Sequence, residues 1–386
     1  MRRVYLDHAA TSWPKPPGVV QALVDYQENY GAAAGRGSYA AASRANHIVS
    51  SVRRRLSQLI GGQSLNEIAL VHNGTAALNL ALAGTLKPGD HVVTTAAEHN
   101  SVLRPLASLQ SRIGISFTVV DSNESGYIAP EAIERAIKPS TRMIVVTHAS
   151  NVTGTIQSIE EIGVIAERHS VWLVVDAAQT LGYVPINVRR LGIDMLAAPG
   201  HKGACGMLGT GFLYVRQELA EEIQTPWPGG TGTESERLEG PFGWPEGVEA
   251  GNLNVPALAA WDCGLDWLLS KPIDERNAES QRMLERLLKI LRRSSLGSVI
   301  GHRSTDDSVP VVSLAVSKMA CSDLAAVLDS SFQIEVRSGM HCAAKIHDCL
   351  GTTAFGGTLR FSLGHTSTLE DLEALEIACT ELSSGI

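Results

Sequence analysis

The chain has 386 residues, of which 44% are hydrophobic and 19% charged, a composition typical of a globular protein and unlike that of a disordered one. The net charge of −8 at pH 7 argues against a general binder of nucleic acid or anionic membranes, although a local pocket can still hold a small anion. No stretch approaches the roughly 20 apolar residues of a transmembrane helix, Met1 to Trp13 lacks the apolar run of a signal peptide, and the cysteines form no CxxC pair. We therefore expect no membrane span, no nucleic-acid partner and no zinc cage, in a protein of the reducing cytoplasm.

Strands and helices alternate between Glu67 and Val215. Strands are predicted at Ile68–Val71, His91–Thr94, Ile115–Val120, Met143–Thr147, Val171–Val175, Asp194–Ala197 and Gly211–Val215. Helices are predicted at Thr75–Ala83, Ser101–Arg112, Glu131–Ile137 and Ile159–His169. This alternation is typical of a mostly parallel sheet with helices on both faces.

The pattern changes after Val215. Residues 224–254 are rich in Gly, Pro and Trp and have almost no periodicity, which indicates a long loop that is functional or contacts a partner. The remaining predicted elements are helices at Val255–Leu269, Ile273–Arg293, Ser322–Leu328 and Leu369–Ser383, and strands at Val309–Val316 and Thr358–Leu363. We place domain boundaries near residues 15, 250 and 385.

Two charged residues follow strands of the predicted sheet. Lys202, in Gly200-His201-Lys202-Gly203, lies in a glycine-flanked turn at the edge where open α/β sheets bind ligands, and a desolvated lysine can form a Schiff base. Asp176 ends an apolar strand, where a carboxylate needs a cation such as a protonated pyridine nitrogen. Taken singly, each has an ordinary alternative: a surface lysine on a flexible loop, and an aspartate that caps a helix.

Polar groups follow two further strands. Asn73-Gly74-Thr75-Ala76-Ala77 opens a helix, so the Thr75 hydroxyl and the first free backbone N–H groups can bind a phosphate, or can serve plain capping. His99, in Glu98-His99-Asn100-Ser101, can stack on a flat ring or relay a proton, or can be an ordinary loop histidine.

One cysteine lies in an electropositive sequence. Cys342 ends the run Arg337-Ser338-Gly339-Met340-His341-Cys342, a setting that favours the thiolate. Arg360, after more glycine, can clamp a carboxylate with its two-pronged donor geometry. The alternative is a buried, inert thiol, and Cys349 on the same segment is the competing candidate.

In combination, these motifs resemble a known family. The chain resembles the fold-type I pyridoxal-phosphate enzymes of the class V aminotransferase family, and within it the cysteine desulfurase and selenocysteine lyase branch. The resemblance runs from Tyr5-Leu6-Asp7-His8-Ala9-Ala10-Thr11 to Arg360-Phe361-Ser362. It implies an α/β fold with a large domain around a mostly parallel central sheet and a smaller α+β domain. The expected division is an N-terminal segment 1–15 that joins the small domain, a large cofactor-binding domain 16–250, and a small domain 251–386 that carries the cysteine loop.

The resemblance also implies a role for each matching residue. Those implied to hold pyridoxal 5′-phosphate are Lys202 by a covalent bond, Asp176 at the pyridine nitrogen, Gln179 at the phenolic oxygen and His99 stacked on the ring. Those implied to bind its phosphate are Thr75, Ala76, His201 and, across to the neighbouring subunit, Asn252. Those implied to bind the substrate are Arg360, Asn151 and Ala9. Lys202 would take the Cα proton of L-cysteine, His99 would manage protons around the product, and Cys342 would accept the sulfur as a persulfide, leaving alanine.

A homodimer with shared sites is implied as well, with contacts at Gly229-Gly230-Thr231-Gly232 and the Asn252 segment. A sulfur-acceptor protein is a candidate partner. The sequence departs from the family pattern at Pro199, where Ser or Thr is usual, at Asn252, where Thr is usual, and at Ala343-Ala344, where Ala-Pro is usual. The alternatives are an aminotransferase or a selenocysteine lyase of the same family, and a non-enzymatic sugar- or partner-binding module.

Overall fold

Strands and helices alternate along most of the chain in the computed structural model, which describes residues 2–35, 37–230, 238, 243–301 and 304–385. The strands are β1 (Val4–Tyr5), β2 (Ile68–Val71), β3 (His91–Thr95), β4 (Ser116–Val120), β5 (Thr141–Thr147), β6 (Trp172–Asp176), β7 (Met195–Pro199), β8 (Gly211–Val215), β9 (Ser298–Ile300), β10 (Val311–Ala315), β11 (Ile334–Glu335), β12 (Arg337–Gly339) and β13 (Thr358–Ser362). The helices are α1 (Val19–Asn29), α2 (Ala40–Ile60), α3 (Gly74–Ala83), α4 (Asn100–Ile113), α5 (Pro130–Arg135), α6 (Ile159–His169), α7 (Val255–Leu269), α8 (Ile273–Arg293), α9 (Cys321–Phe332), α10 (Ala344–Cys349) and α11 (Leu369–Gly385).

A seven-stranded sheet of order β2-β8-β7-β6-β5-β3-β4 forms the centre of the larger part of the molecule. Strand β8 is antiparallel to both of its neighbours, and the other pairings are parallel. Alternate residues of β5 enter two different hydrophobic cores: Ile144 and Val146 one, Met143 and Val145 the other. Both faces are therefore covered, which explains why the strands read as continuous apolar runs. The predicted mostly parallel α/β sheet is confirmed.

Two N-terminal helices were not predicted from the sequence. Helices α1 and α2 pack against α7, whose Trp261 and Leu265 are fully buried in the larger core. The expected domain boundary near residue 250 stays a prediction, and the packing of α7 favours a position after Leu269.

The rest of the chain forms a second core around an antiparallel sheet of order β12-β13-β10-β9. Helices α8, α9 and α11 supply its apolar side chains. The N-terminal segment reaches this core as well: β1 pairs in parallel with β11, and Leu6 is fully buried there.

The topology brings the ends of several strands to one edge of the central sheet. Asp176 is the last residue of β6, and Thr147 is the last residue of β5. The two are paired in register, so the two strands end together. Lys202 follows β7 after a short turn. Ligands bind at this carboxyl edge in open α/β sheets.

Within the described ranges, no helix combines the length and apolar character needed to cross a membrane. In the same part of the chain, no group of His, Cys, Asp or Glu side chains is arranged to hold a metal ion.

Candidate active site

A cavity of about 210 Å³ lies at this edge of the central sheet. The predicted site residues that line it are Ala9, Thr75, His99, Asn151, Asp176, Gln179, His201, Lys202 and Arg360. Other residues line it too, among them Asn73, Ser101 and Arg337, to which the sequence assigned no site role. The predicted residues Ala76, Asn252 and Cys342 are not among its lining residues. The fold thus gathers most of the predicted site from distant parts of the chain.

Lys202 and Asp176 are the charged pair of the cavity. Burial lowers the pKa of Lys202 to about 8; the negative charge of Asp176 opposes this shift, while Arg360 and Arg337 add to it. Burial also raises the pKa of Asp176, whose Oδ1 accepts a hydrogen bond from the amide of Ala178 at 2.9 Å. The site therefore holds an amine that readily gives up its proton beside a carboxyl that gains from a cationic partner.

The first turn of α3 forms one end of the cavity. Oδ1 of Asn73 accepts a hydrogen bond from the amide of Ala76 at 2.8 Å and caps the helix. This amide was predicted to bind phosphate, so an anion would first have to displace the Asn73 cap. The role of Ala76 stays a prediction, and the cap is a competing use of its N–H group.

Gly74 and Thr75 face the end of β7. A Cβ atom at residue 74 would lie 3.0 Å from Cδ of Pro199, so glycine allows this close approach of helix and strand. Oγ1 of Thr75 lies 2.8 Å from Oγ of Ser101. We call Asn73, Gly74 and Thr75 the cradle, because the N-terminus of a helix with a nearby hydroxyl suits an anion.

His99 caps α4 with its own side chain. Its Nδ1 accepts a hydrogen bond from the amide of Ser101 at 3.0 Å, and Oγ of Ser101 lies 2.7 Å from the same nitrogen. Burial, aided by nearby cations of which Lys202 is the strongest, lowers the pKa of His99 to about 4. The ring is therefore neutral at pH 7. Since Nδ1 accepts, the hydrogen of the neutral imidazole is on Nε2.

Arg360 lies in β13 with its side chain fully buried. Its Nη2 donates to Oδ1 of Asp7 at 2.6 Å, and its Nη1 donates to the carbonyl of Asn151 at 3.1 Å. Burial lowers the pKa of Arg360, and the negative charge of Asp7 opposes that shift. A guanidinium carries five N–H donors, so hydrogens remain for a substrate carboxylate.

The N-terminal segment fixes the backbone next to Lys202. The carbonyl of His201 accepts hydrogen bonds from Oγ1 of Thr11 at 3.2 Å and from Nζ of Lys15 at 2.8 Å. Nε2 of Gln179 donates to the carbonyl of Ala9 at 3.1 Å. These contacts place two predicted site residues, His201 and Gln179, against residues 9–15.

Cys342 lies outside the cavity, on the loop between β12 and α10, and its side chain is exposed. Nη2 of Arg337, which lines the cavity, lies 3.5 Å from its Sγ. The backbone of Cys342 is left-handed, with φ of 58°, and its carbonyl accepts a hydrogen bond from the amide of Asn100 at 2.7 Å. A non-glycine residue holds this conformation at a cost of about 1–3 kcal/mol, so the surrounding contacts impose it.

The segments implied in subunit contact are only partly described. Asn252, Gly229 and Gly230 are exposed. Thr231 and Gly232 lie outside the described residues. The role of Asn252 therefore stays a prediction that needs a second subunit.

Two contributors to the site were missed from the sequence. Asp7 belongs to the N-terminal motif, but its ion pair joins it to Arg360, 353 residues away. Ser101 stands two residues after His99 at the start of a helix, and that spacing is the signal that could have indicated a hydroxyl beside the imidazole.

Comparisons with known proteins agree with this site. Residues 4–375 match the family described as aminotransferase class V. A relative from Methanothermobacter thermautotrophicus named "Probable cysteine desulfurase" is 34% identical over 98% of this chain and 94% of its own length. Another of the same name from Pyrococcus abyssi is 31% identical over 99% of this chain and 95% of its own.

A solved structure gives the same result for the fold. The apo structure of a cysteine desulfurase from Thermococcus onnurineus NA1 superposes with a TM-score of 0.93 at 32% identity, covering 100% of this chain and 95% of that one. These findings confirm the resemblance and the fold predicted from the sequence. The chain belongs to the class V aminotransferase family.

Proposed function

We propose that the chain is a pyridoxal 5′-phosphate-dependent cysteine desulfurase that converts L-cysteine to alanine and leaves the sulfur on Cys342. One observation carries the proposal: the amine of Lys202, the buried carboxyl of Asp176 and the guanidinium of Arg360 line a single cavity. The relatives named for cysteine desulfurase support the same activity.

The residues of the cavity fit pyridoxal phosphate. The buried carboxyl of Asp176 suits a protonated pyridine nitrogen, because a cation offsets the cost of burying its charge. The amine of Lys202 suits an aldehyde, because its pKa is lowered to about 8. Nδ1 of His201 is buried and has no hydrogen-bond partner among the described residues, and the cradle offers a helix N-terminus to a phosphate. When bound, the cofactor supplies an electron sink for the pair released at the substrate Cα.

The side chains of this protein orient the substrate and move its protons. Arg360 binds the substrate carboxylate through the donors that Asp7 and Asn151 leave over. Lys202 takes the Cα proton, and because the pKa of its amine is about 8, more of the base is present as the pH rises through 8. His99 can donate a proton from Nε2 near the departing product.

Cys342 is the proposed sulfur acceptor. Its thiolate attacks the sulfur of the substrate, so that an S–S bond forms while the Cβ–S bond breaks. The electron pair of the broken bond stays with the substrate carbon, which takes up a proton and leaves as alanine. The sulfur is oxidised and the carbon is reduced by the same amount, so no external oxidant is needed. Nη2 of Arg337 lies 3.5 Å from Sγ, so a positive charge stands beside the attacking sulfur.

Two departures from the family pattern bear on the phosphate. Pro199 places a ring against Gly74 where a hydroxyl is usual, so the cradle depends more on Thr75 and on backbone amides. Asn252 can still donate a hydrogen bond across a subunit boundary. Because the chain resembles this family, we propose that it forms a homodimer with shared sites. We also propose a sulfur-acceptor protein as its partner.

The direct test is the visible absorption of the purified protein followed by an assay with L-cysteine. We expect the absorption of a lysine-bound pyridoxal group, and release of alanine and sulfide in equal amounts when a thiol reductant is present. An absorbing protein that instead exchanges amino groups between an amino acid and a keto acid would be an aminotransferase. Preference for selenocysteine would identify a lyase for that substrate. A colourless protein that pyridoxal phosphate does not restore would overturn the proposal and favour a binding module.

A further inference from the structure

A row of three polar atoms joins the cradle to His99. Oγ1 of Thr75 lies 2.8 Å from Oγ of Ser101, which lies 2.7 Å from Nδ1 of His99. Ser101 is buried, with 7% of its surface exposed, in the first turn of α4. Both distances are those of good hydrogen bonds, so the hydrogens along the row have a defined order.

The amide of Ser101 sets that order. It donates to Nδ1 of His99 at 3.0 Å, so this nitrogen carries no hydrogen. The hydroxyl of Ser101 must then donate to Nδ1 as well, because two lone pairs 2.7 Å apart would repel each other. A hydroxyl has one hydrogen, so Oγ of Ser101 can only accept from Thr75. The order of donation is Thr75 to Ser101 to His99.

This order leaves Thr75 without a hydrogen for an anion. A phosphate oxygen accepts hydrogen bonds, so Thr75 can bind it only by turning its hydroxyl away from Ser101. The hydroxyl of Ser101 can then donate to Thr75, and its lone pairs come to face Nδ1 of His99. Nδ1 then loses one of its two donors and gains an acceptor, so protonation of the imidazole costs less than before, while the amide of Ser101 still opposes it.

We propose that Ser101 is a positioning residue that couples phosphate binding in the cradle to the protonation of His99. The inference rests on the proposed function, since it takes the cradle as the phosphate end of the cofactor site. The coupling is reciprocal, so protonation of His99 also strengthens phosphate binding. It makes His99 ready to hold a proton when the phosphate is seated and keeps the ring neutral otherwise.

We call the hydrogen-bonded row of Thr75, Ser101 and His99 the relay. Other charges also act on His99, and their effect on its pKa must be separated from the effect of the relay. Four cationic residues each lower its pKa: Lys202, Arg337, Arg360 and Arg104. The negative charge of a bound phosphate would raise that pKa directly. Removing the hydroxyl of Ser101 abolishes the relay and leaves all of these charges in place. Removing the hydroxyl of Thr75 abolishes it too, and a saturating phosphate concentration keeps the anion bound in that variant. Comparison of such variants with the unaltered chain therefore isolates the relay.

The experiment is nitrogen NMR of the full-length chain labelled at histidine, with His99 assigned by its loss in a His99→Gln variant. Spectra are recorded across pH for the cofactor-free protein, with saturating inorganic phosphate, and with pyridoxal phosphate. The variants are Ser101→Ala and Thr75→Val, and the control is Ser111→Ala, which removes an exposed hydroxyl from the same helix.

We expect the hydrogen on Nε2 in the cofactor-free protein, and a rise in the pKa of His99 when phosphate binds. This rise is expected to be smaller by about half a unit or more in Ser101→Ala and Thr75→Val, while Ser111→Ala behaves as the unaltered chain. If either variant fails to fold, the other still carries the comparison.

Three results would overturn the inference: a hydrogen on Nδ1 in the cofactor-free protein, equal phosphate-induced shifts in all variants, or no response of His99 to phosphate. The visible absorption of the protein with pyridoxal phosphate reports separately on the proposed function. A coloured protein with equal shifts would sink the relay alone, whereas a protein that never acquires colour would sink the assignment of the cofactor.

Discussion

The cavity and the loop that carries Cys342 differ in burial: Asp176 in the cavity is buried at the edge of a sheet, and the cysteine is exposed. Lys202 and Asp176 stand at strand ends of a sheet covered on both faces, and burial shifts the pKa of each. Cys342 is exposed on the short loop between β12 and α10, in a left-handed backbone held by a hydrogen bond to α4. The difference fits the proposed function: capture of an aldehyde needs a desolvated amine, whereas transfer of sulfur to the proposed acceptor protein needs an accessible thiol.

Arg337 connects the two regions. Its side chain lines the cavity and also contacts Sγ of Cys342. The comparison therefore predicts variants that disable one region and spare the other, and one variant that disturbs both mildly.

The largest effect is expected for Lys202→Ala. This change removes both the proposed covalent attachment and the proposed base, and loss of a general base alone costs about 10²–10⁴-fold in rate. We expect loss of the visible absorption together with loss of sulfide release. A variant that kept its colour would contradict the assignment of Lys202.

Cys342→Ala is expected to separate the regions cleanly. The cavity is unchanged, so the visible absorption should persist and should still respond to L-cysteine, while sulfide release falls to the background level. Cys349→Ala is the matched control, because it removes a thiol from the neighbouring helix α10. Normal sulfide release by Cys342→Ala, together with its loss in Cys349→Ala, would transfer the role to Cys349.

Asp176→Asn preserves the shape of the side chain but removes its charge. Loss of one preorganised charge contact typically costs about 10²–10³-fold in the rate of the chemical step. We expect the cofactor to be captured still, with a lower pKa of Lys202, because the charge of Asp176 raises that pKa. A single-turnover measurement with an unchanged rate would contradict the role of this carboxylate.

Arg337→Gln should give the smallest effect and touch both regions. Arg337 lowers the pKa of Lys202, so its removal should raise that pKa above about 8 and move the alkaline rise of the rate profile to higher pH. Alkylation of Cys342 should become slower as well, because the variant removes the positive charge 3.5 Å from its Sγ. Arg190→Gln, at an exposed ion pair with Glu160, is the control for a generic loss of positive charge.

The central sheet was predictable because its strands carry dense apolar patterns, and the helices at 159–169, 255–269 and 273–293 begin and end where the sequence placed them. Four lining residues followed from motifs at strand ends: Thr75, His99, Asp176 and Lys202. Four others followed only from the family resemblance: Ala9, Asn151, Gln179 and His201. The contact between Asp7 and Arg360 could not be predicted, since it depends on how the N-terminal segment crosses to β13. Nor could the left-handed backbone of Cys342, which tertiary contacts impose on a residue with no local preference for it.

The N-terminal residues of this chain contact both the smaller sheet and the backbone beside Lys202, so changes to them are expected to affect activity. Val4 and Tyr5 pair with β11 of one core, while Thr11 and Lys15 bind the carbonyl of His201 in the other. Removal of the first dozen residues would take away Asp7, the ion-pair partner of Arg360, and Thr11, which binds the carbonyl of His201. We therefore expect such a truncation, or a purification tag on these residues, to lower the activity. An affinity tag is better placed after α11. Low activity of a preparation that has lost its N-terminal residues should not be taken as evidence that the full chain is inactive.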